Sequence, residues 1–170
     1  VVHRIRGLLR RKETPAESIV LGALVANVEQ FLQHELLTSG VQFSKHQIGE
    51  PTPLLVDRVG LEQVLINTIK NSLDALKDVE TNQSKRIEIT LEYHADHAVL
   101  KVLDNGSGLS YEPDWHLQSF QTTKDDGLGL GLAICREIVS QHKGSLTIAN
   151  RDDGVSGCLV TVTVYELETS

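Results

Sequence analysis

The sequence has little of what a secreted, membrane-spanning or nucleic-acid-binding protein needs. Only two cysteines, Cys135 and Cys158, occur in 170 residues, too few for a disulfide scaffold and in no zinc-ligand spacing. Reduced thiols in a cytoplasmic setting are the expectation. No apolar run approaches the ~20 residues that cross a bilayer, and the N-terminus has no signal-peptide pattern, so no membrane contact is expected of this stretch. Positive charge is scarce as well: 16 Lys and Arg stand against 23 Asp and Glu, a net of −7. The basic residues concentrate in residues 1–13, which net +4 and leave −11 for the rest. That is a poor footprint for a nucleic-acid partner, and an anionic ligand would have to be held by local geometry. Internal repeats and low-complexity segments are absent too.

What is present is one globular domain's worth of core: 40% of the residues are hydrophobic, in a chain too short for two large cores. Val1, Ile5, Leu8 and Leu9 share a helical face before Thr14-Pro15 ends the pattern. An isolated helix of that length is marginal in water, so it reads as the end of a longer helix from a preceding module. Thr14 to Glu17 reads as linker and cap. Ile19, Leu21, Leu24, Val25, Val28, Phe31 and Leu32 predict a helix of about 20 residues ending near Gly40. "VQFSKHQ" predicts a strand, and Asp57 is placed to cap a helix over 58–79. "RIEITLEY" and "AVLKVLD" predict a hairpin, 105–128 a long loop, then a helix from about Leu130 and a final hairpin about "RDDG". The order predicts an α+β fold: a two-layer sandwich of a mixed sheet covered on one face by helices, with an N-terminal helix stub.

Three stretches could carry chemistry. In "DGLGLGLAI", Gly127, Gly129 and Gly131 alternate immediately before a helix. They lack the spacing and preceding strand of a dinucleotide fingerprint, and no P-loop lysine follows. Glycines there would let backbone approach a ligand at a helix N-terminus; a hinge or packing turn fits them equally. In "LEQVLINTIKNSLDAL", Asn67, Asn71 and Asp74 fall on one helical face beside the leucines. Such hard oxygen donors suit Mg²⁺, and a solvated polar face is the alternative. In "VLKVLDNGSGLS", alternation puts Asp104 on the face of Ala98, Leu100 and Val102, at the lip of the core, where a carboxylate needs donors. A plain Asn-Gly turn competes with that.

The order of these motifs resembles the catalytic ATP-binding domain of bacterial sensor histidine kinases, within the superfamily that includes DNA gyrase, the large heat-shock chaperone and mismatch-repair ATPases. The similarity covers about residues 19–166. The resemblance implies that Asn67 and Asn71 form the N box, with Asn71 on Mg²⁺, and that Asp104 accepts a hydrogen bond from the adenine amino group beside Gly106, Gly108 and Leu109. It implies that Phe120 is the F box, Thr122, Thr123 and Lys124 the phosphate-side T-T-K, and Gly127, Leu128, Gly129, Leu130 and Gly131 the second glycine box. Asn67, Asn71 and Lys124 are the expected catalytic residues, and Asp74 is an expected neighbour of the nucleotide. Residues 1–18 would be the end of a dimerisation and phosphoacceptor helix with its linker, and 19–170 the catalytic domain.

The resemblance further implies Mg-ATP as cofactor, a homodimer through the chain's own upstream helices, and a response regulator as partner. The fragment would be cytoplasmic, with a full-length protein open to membrane anchoring.

Departures from the family pattern are "LQSFQTTK" where F-E-P-F-F-T-T-K is common, a short stretch from Leu109 to Asp126, Lys143 in "HKG" where a glycine is usual, and Asp74 where a basic residue is frequent. Lys143 is expected to be a tolerated surface change. His34, in "HEL", and His3 are both expected to be solvated and not phosphoacceptors. Three functions compete: a histidine kinase module, a non-catalytic ATP-dependent scaffold, and a serine kinase of the anti-sigma type. Asn67 speaks against ATP hydrolysis as the main task, because a glutamate at that place activates water and an asparagine cannot.

Overall fold

The computed structural model describes residues 14–109 and 130–169, with Leu130 described by its backbone alone. The elements are β1 (Glu17–Ile19), α1 (Leu21–Phe31), α2 (Gln33–Thr38), β2 (Val41–Ile48), β3 (Leu54–Val56), α3 (Arg58–Leu76), β4 (Lys85–Tyr93), β5 (His97–Asp104), α4 (Leu130–Gln141), β6 (Ser145–Asn150) and β7 (Cys158–Tyr165). Five strands form one sheet in the order β2-β4-β5-β7-β6. β2 pairs with β4 in parallel and the other neighbours are antiparallel, so the sheet is mixed as expected.

Strand alternation builds the core. On β4 the buried positions are Ile87, Ile89, Leu91 and Tyr93, and on β5 they are Ala98, Leu100, Val102 and Asp104. Helical periodicity supplies the opposite layer: α1 buries Leu21, Leu24, Val25 and Val28, and α3 buries Leu61, Val64, Leu65, Ile69, Leu73 and Leu76. Alternation along the strands and a leucine stripe along the helices therefore meet as two layers with one apolar interior. Leu65 and Ile69 are fully excluded from solvent, and truncating either to alanine would cost about 2–5 kcal/mol.

The N-terminal region departs from the expected single helix. Glu17–Ile19, read as linker and helix start, is a strand that pairs antiparallel with β3, Ser18 opposite Leu55. The helix begins only at Leu21 and is interrupted at Leu32, whose φ of −94° and ψ of 8° leave the helical range. The buried series Leu21, Leu24, Val25, Val28, Leu32, Leu36 runs across that break at helical spacing. The interruption therefore leaves no trace in periodicity, and no glycine or proline marks it. His34 is exposed in α2, as expected.

Two contacts fix the helices that matter for the site. Asp57 caps α3, its Oδ1 accepting from the Gly60 N–H at 2.9 Å and from the Thr14 hydroxyl. At the far end of α4, His142 is 1% exposed; its Nε2 accepts from the Asp57 N–H at 3.0 Å, so its proton sits on Nδ1 and donates to the Ile138 carbonyl at 2.8 Å. One neutral imidazole thereby joins the end of α4 to the start of α3. The turn after α4 is a Schellman motif: Gly144 N–H bonds to Val139 O at 3.1 Å and Lys143 N–H to Ser140 O at 2.9 Å. Lys143 occupies the left-handed position with φ 51°. Its side chain is exposed and pairs with Glu168, as a surface residue should. Its backbone is nevertheless in a conformation that glycine adopts without cost.

Candidate active site

Asp104 is the last residue of β5, and strand alternation turns its side chain inward, leaving it 3% exposed. A buried carboxylate without donors would be costly, and this one has three. Oδ1 accepts from the backbone N–H groups of Gly106 at 2.9 Å and Cys158 at 3.2 Å, and Oδ2 accepts from the Ser72 hydroxyl at 2.8 Å. A carboxylate offers about four acceptor positions. Among the described residues, Oδ2 keeps one. Beside it, burial first, and the Asp104 carboxylate after it, push the Cys158 thiol up to about 12.

The turn after Asp104 lies directly on α3. Ser107 N–H donates to the Ala75 carbonyl at 3.2 Å, and a Cβ added at Gly106 would stand 2.9 Å from Ala75 backbone atoms. Only glycine permits that approach. Asn71, Ser72, Asp74 and Ala75 are successive parts of the same two turns of α3, so the first glycine stretch and the asparagine stripe meet there. Asp74 is half-exposed and forms an i,i+3 ion pair with Lys77 at 3.0 Å. Gly108 has φ 77°, and the N–H of Leu109 donates to Asn150 Oδ1 at 2.6 Å.

The third stretch also returns to α3. The point where a Gly131 Cβ would lie is 3.8 Å from Asn67 Nδ2, an ordinary van der Waals contact with that amide. One turn further along α4, the buried Cys135 Sγ accepts from the same Asn67 Nδ2 at 3.5 Å. Burial raises the Cys135 thiol above its ordinary value, which keeps it a neutral acceptor. That contact leaves the carbonyl oxygen of Asn67 as the end of the amide not engaged by Cys135. Glu62, the acidic residue of the preceding turn, is tied to Arg58 at 2.8 Å.

Of the residues expected from the sequence, Asn67, Asn71 and Asp74 lie on α3, Asp104, Gly106 and Gly131 approach it at Ser72, Ala75 and Asn67, Gly108 and Leu109 face Asn150, and α4 begins at Leu130. Phe120, Thr122, Thr123, Lys124, Gly127, Leu128 and Gly129 lie outside the described residues, as does the stub over 1–13. The sequence reading missed Ser72. Its signal was available: Thr68 and Ser72 are i,i+4 small hydroxyls inside the leucine stripe, and both are buried. Thr68 bonds back to the Val64 carbonyl at 2.8 Å, whereas Ser72 reaches the carboxylate. His142 and Asn150 were missed for another reason, since their partners are 85 and 41 residues away.

Known proteins are similar to this chain in sequence and in fold. A family model described as histidine kinase-, DNA gyrase B-, and HSP90-like ATPase matches residues 56–168. The C4-dicarboxylate transport sensor protein DctB of Rhizobium meliloti is 41% identical over 103 residues, 60% of this chain and 16% of its own length. A putative sensor histidine kinase, NtrY-like, of Rickettsia conorii is 33% identical over 140 residues, 81% of this chain and 23% of its own. The chain therefore spans less than a quarter of either relative. The nucleotide-free catalytic domain of histidine kinase ThkA superposes with a TM-score of 0.77 at 26% identity, covering 91% of this chain and 97% of that one. On its sequence and its fold, the chain belongs to the histidine kinase-, DNA gyrase B-, and HSP90-like ATPase family, and its ATP-binding catalytic domain is of the histidine kinase type.

Proposed function

We propose that this chain binds Mg-ATP between α3, the Asp104 turn and the start of α4, and that it directs the γ-phosphoryl group to a histidine on a helical hairpin preceding it in the full-length protein. The observation that carries the reading is the Asp104 carboxylate, buried and, among the described residues, held by three donors with one acceptor position retained on Oδ2. Adenine presents an N6 amino donor there, and guanine would present a carbonyl acceptor that a carboxylate repels.

The residues present fit the metal and nucleotide by their chemistry. Side-chain amide oxygens of Asn67 and Asn71 are hard donors of the kind Mg²⁺ accepts alongside water and phosphate. Asn71 would be the ligand, and Asn67, oriented by Cys135, would stand beside the phosphates. Asp74 would border the nucleotide at the adenine end, and Gly131 would bring the main chain at the start of α4 up to Asn67. Lys124 would add positive charge beside the phosphates in a chain of net −7, the Thr122 and Thr123 hydroxyls would donate hydrogen bonds there, and Phe120 would anchor that segment. Mg²⁺ held by Asn71 would supply charge neutralisation at the phosphates in such a transfer. The chain's own part is to select the base and orient the phosphates. Transfer would break the bond from the γ-phosphorus to the ADP oxygen, ADP leaving with the electron pair, and form one to the unprotonated imidazole nitrogen of the acceptor, the proton on its other ring nitrogen passing to solvent. No glutamate stands at position 67 to activate water in competition.

The partners follow as part of the same proposal: a second copy through the upstream helices, and a response regulator to which the phosphoryl group is relayed. The names of the sensor relatives support this, as does the structure of ThkA solved in complex with a response regulator protein. The test is to incubate the chain with labelled ATP, Mg²⁺ and the separately prepared hairpin. Acid-labile, base-stable label on the hairpin is expected, and its loss in Asn71→Ala together with loss of Mg-dependent ATP binding. Tight ATP binding with no label on the hairpin would sink the kinase reading in favour of a nucleotide-dependent scaffold.

A further inference from the structure

The turn that carries Asp104 is gripped on its outer side by a loop from a different part of the chain. At the end of β6, the Asn150 amide engages both backbone groups of Leu109: Oδ1 accepts from its N–H at 2.6 Å, and Nδ2 faces its carbonyl at 3.4 Å. Next to it, Arg151 is aimed by Asp153. Its Nε and Nη2 fork onto the two carboxylate oxygens, the first at 3.0 Å, and the remaining Nη1 donates to the Asp104 carbonyl at 3.3 Å. The pair is electrostatically consistent, since each partner holds the other in its charged form. Ser156 donates its hydroxyl to the Gly106 carbonyl at 2.8 Å. Gly157, with φ 146°, passes so close that an added Cβ would lie 2.0 Å from the Asp104 carbonyl oxygen. The following residue, Cys158, supplies one of the donors to the Asp104 carboxylate.

These contacts exceed what a hairpin loop needs to close. Residues 150–158 touch Asp104, Gly106 and Leu109, that is, both ends and the middle of one short turn. We propose that Asn150 and Arg151 are positioning residues for base recognition: they hold the Asp104–Leu109 turn against α3 and so set how strongly adenine is selected over guanine. This rests on the adenine role of Asp104 given above. Arg151 does not touch the base. It fixes the main chain of the residue that does, and a fork-held guanidinium does so more rigidly than a lysine.

The readout is the ratio of ATP to GTP affinity, measured by calorimetric titration on one sample of each variant with thermal unfolding recorded alongside. A merely structural role would reduce the folded fraction and leave that ratio unchanged. Asn150→Ala and Arg151→Ala are each expected to lower the ratio about tenfold, which is the effect of one lost polar contact. Arg151→Lys, which keeps a cationic donor, should recover part of it. Asp104→Asn, the control on the underlying reading, should remove most of the discrimination. Wild-type ratios in both alanine variants, with Asp104→Asn still collapsing the ratio, would overturn the positioning role alone. An unchanged ratio in Asp104→Asn would overturn the adenine reading and this inference with it. An Arg151→Lys ratio as low as that of Arg151→Ala would also count against the contact to the Asp104 carbonyl.

Discussion

Replacing His142 tests the tie between α4 and α3 most directly. The imidazole is 1% exposed and serves two partners, the Asp57 N–H at 3.0 Å and the Ile138 carbonyl at 2.8 Å. These partners are not equivalent. A carbonyl left without a partner is a commoner state in folded proteins than an orphaned donor, whereas the Asp57 N–H is a single donor at a buried helix cap, and stranding it costs about 1–3 kcal/mol. His142→Leu keeps most of the volume and removes the acceptor, so a loss of about 2 kcal/mol is expected. His142→Ala adds a cavity and should lose about 4 kcal/mol. Urea unfolding gives both numbers, provided the slope with denaturant stays that of the parent. The difference between the variants measures packing, and the leucine value measures the bond to the cap. A His142→Leu variant within about 0.5 kcal/mol of the parent would refute the assignment, because that residual is typical of substitutions touching no special feature.

Three further outcomes are expected. Ser72→Ala removes one of the three donors to a buried carboxylate, so it should destabilise by about 1–2 kcal/mol and weaken ATP binding several-fold; unchanged affinity in a titration would show that Gly106 and Cys158 suffice. Lys143→Gly relieves a left-handed residue at the end of α4 and should be more stable than Lys143→Ala by about 1 kcal/mol, checked by thermal unfolding, with equal stabilities refuting the strain. The Cys158 thiol, pushed up to about 12 by burial and by Asp104, holds its proton in the folded chain above the ordinary cysteine value of about 8.5. Its contribution to stability is therefore full below about 8.5 and lost as pH rises toward 12, so Cys158→Ala should flatten stability across that window, and a parallel pH profile in the variant would contradict the cause.

Much of this was legible because it is local. The spacing of Asn67, Asn71 and Asp74 puts them on one face of any helix, and alternation alone sends Asp104 to the core side of β5. The cap at Asp57 also follows from its place just before the helix. What the spacing cannot express is the partner at a distance. Ser72 is a small polar residue inside a leucine stripe until β5 brings a carboxylate to it. Asn150 reads as the end of a strand and Arg151 as the start of the "RDDG" turn until the turn at Asp104 is seen against them. The strand at Glu17–Ile19 escaped for the same reason, since a three-residue strand is made by its neighbour β3 and not by its own composition. The helix break at Leu32 escaped because the side-chain periodicity continues through it.

The strand β3 has only three residues, yet both ends of the folded unit are fastened to it. On one side it pairs with β1, where the chain comes in. On the other, the Leu55 N–H bonds to the Glu166 carboxylate at 3.2 Å, and the Leu55 carbonyl accepts from the Leu167 N–H at 2.8 Å, where the chain goes out. Entry and exit therefore share one pole of the molecule, the arrangement that lets a unit be spliced into a longer chain with little disturbance. In modular terms the domain is a cartridge. On the entry side the Thr14–Asp57 contact also reaches the cap of α3, so one three-residue strand and one helix cap hold both described ends.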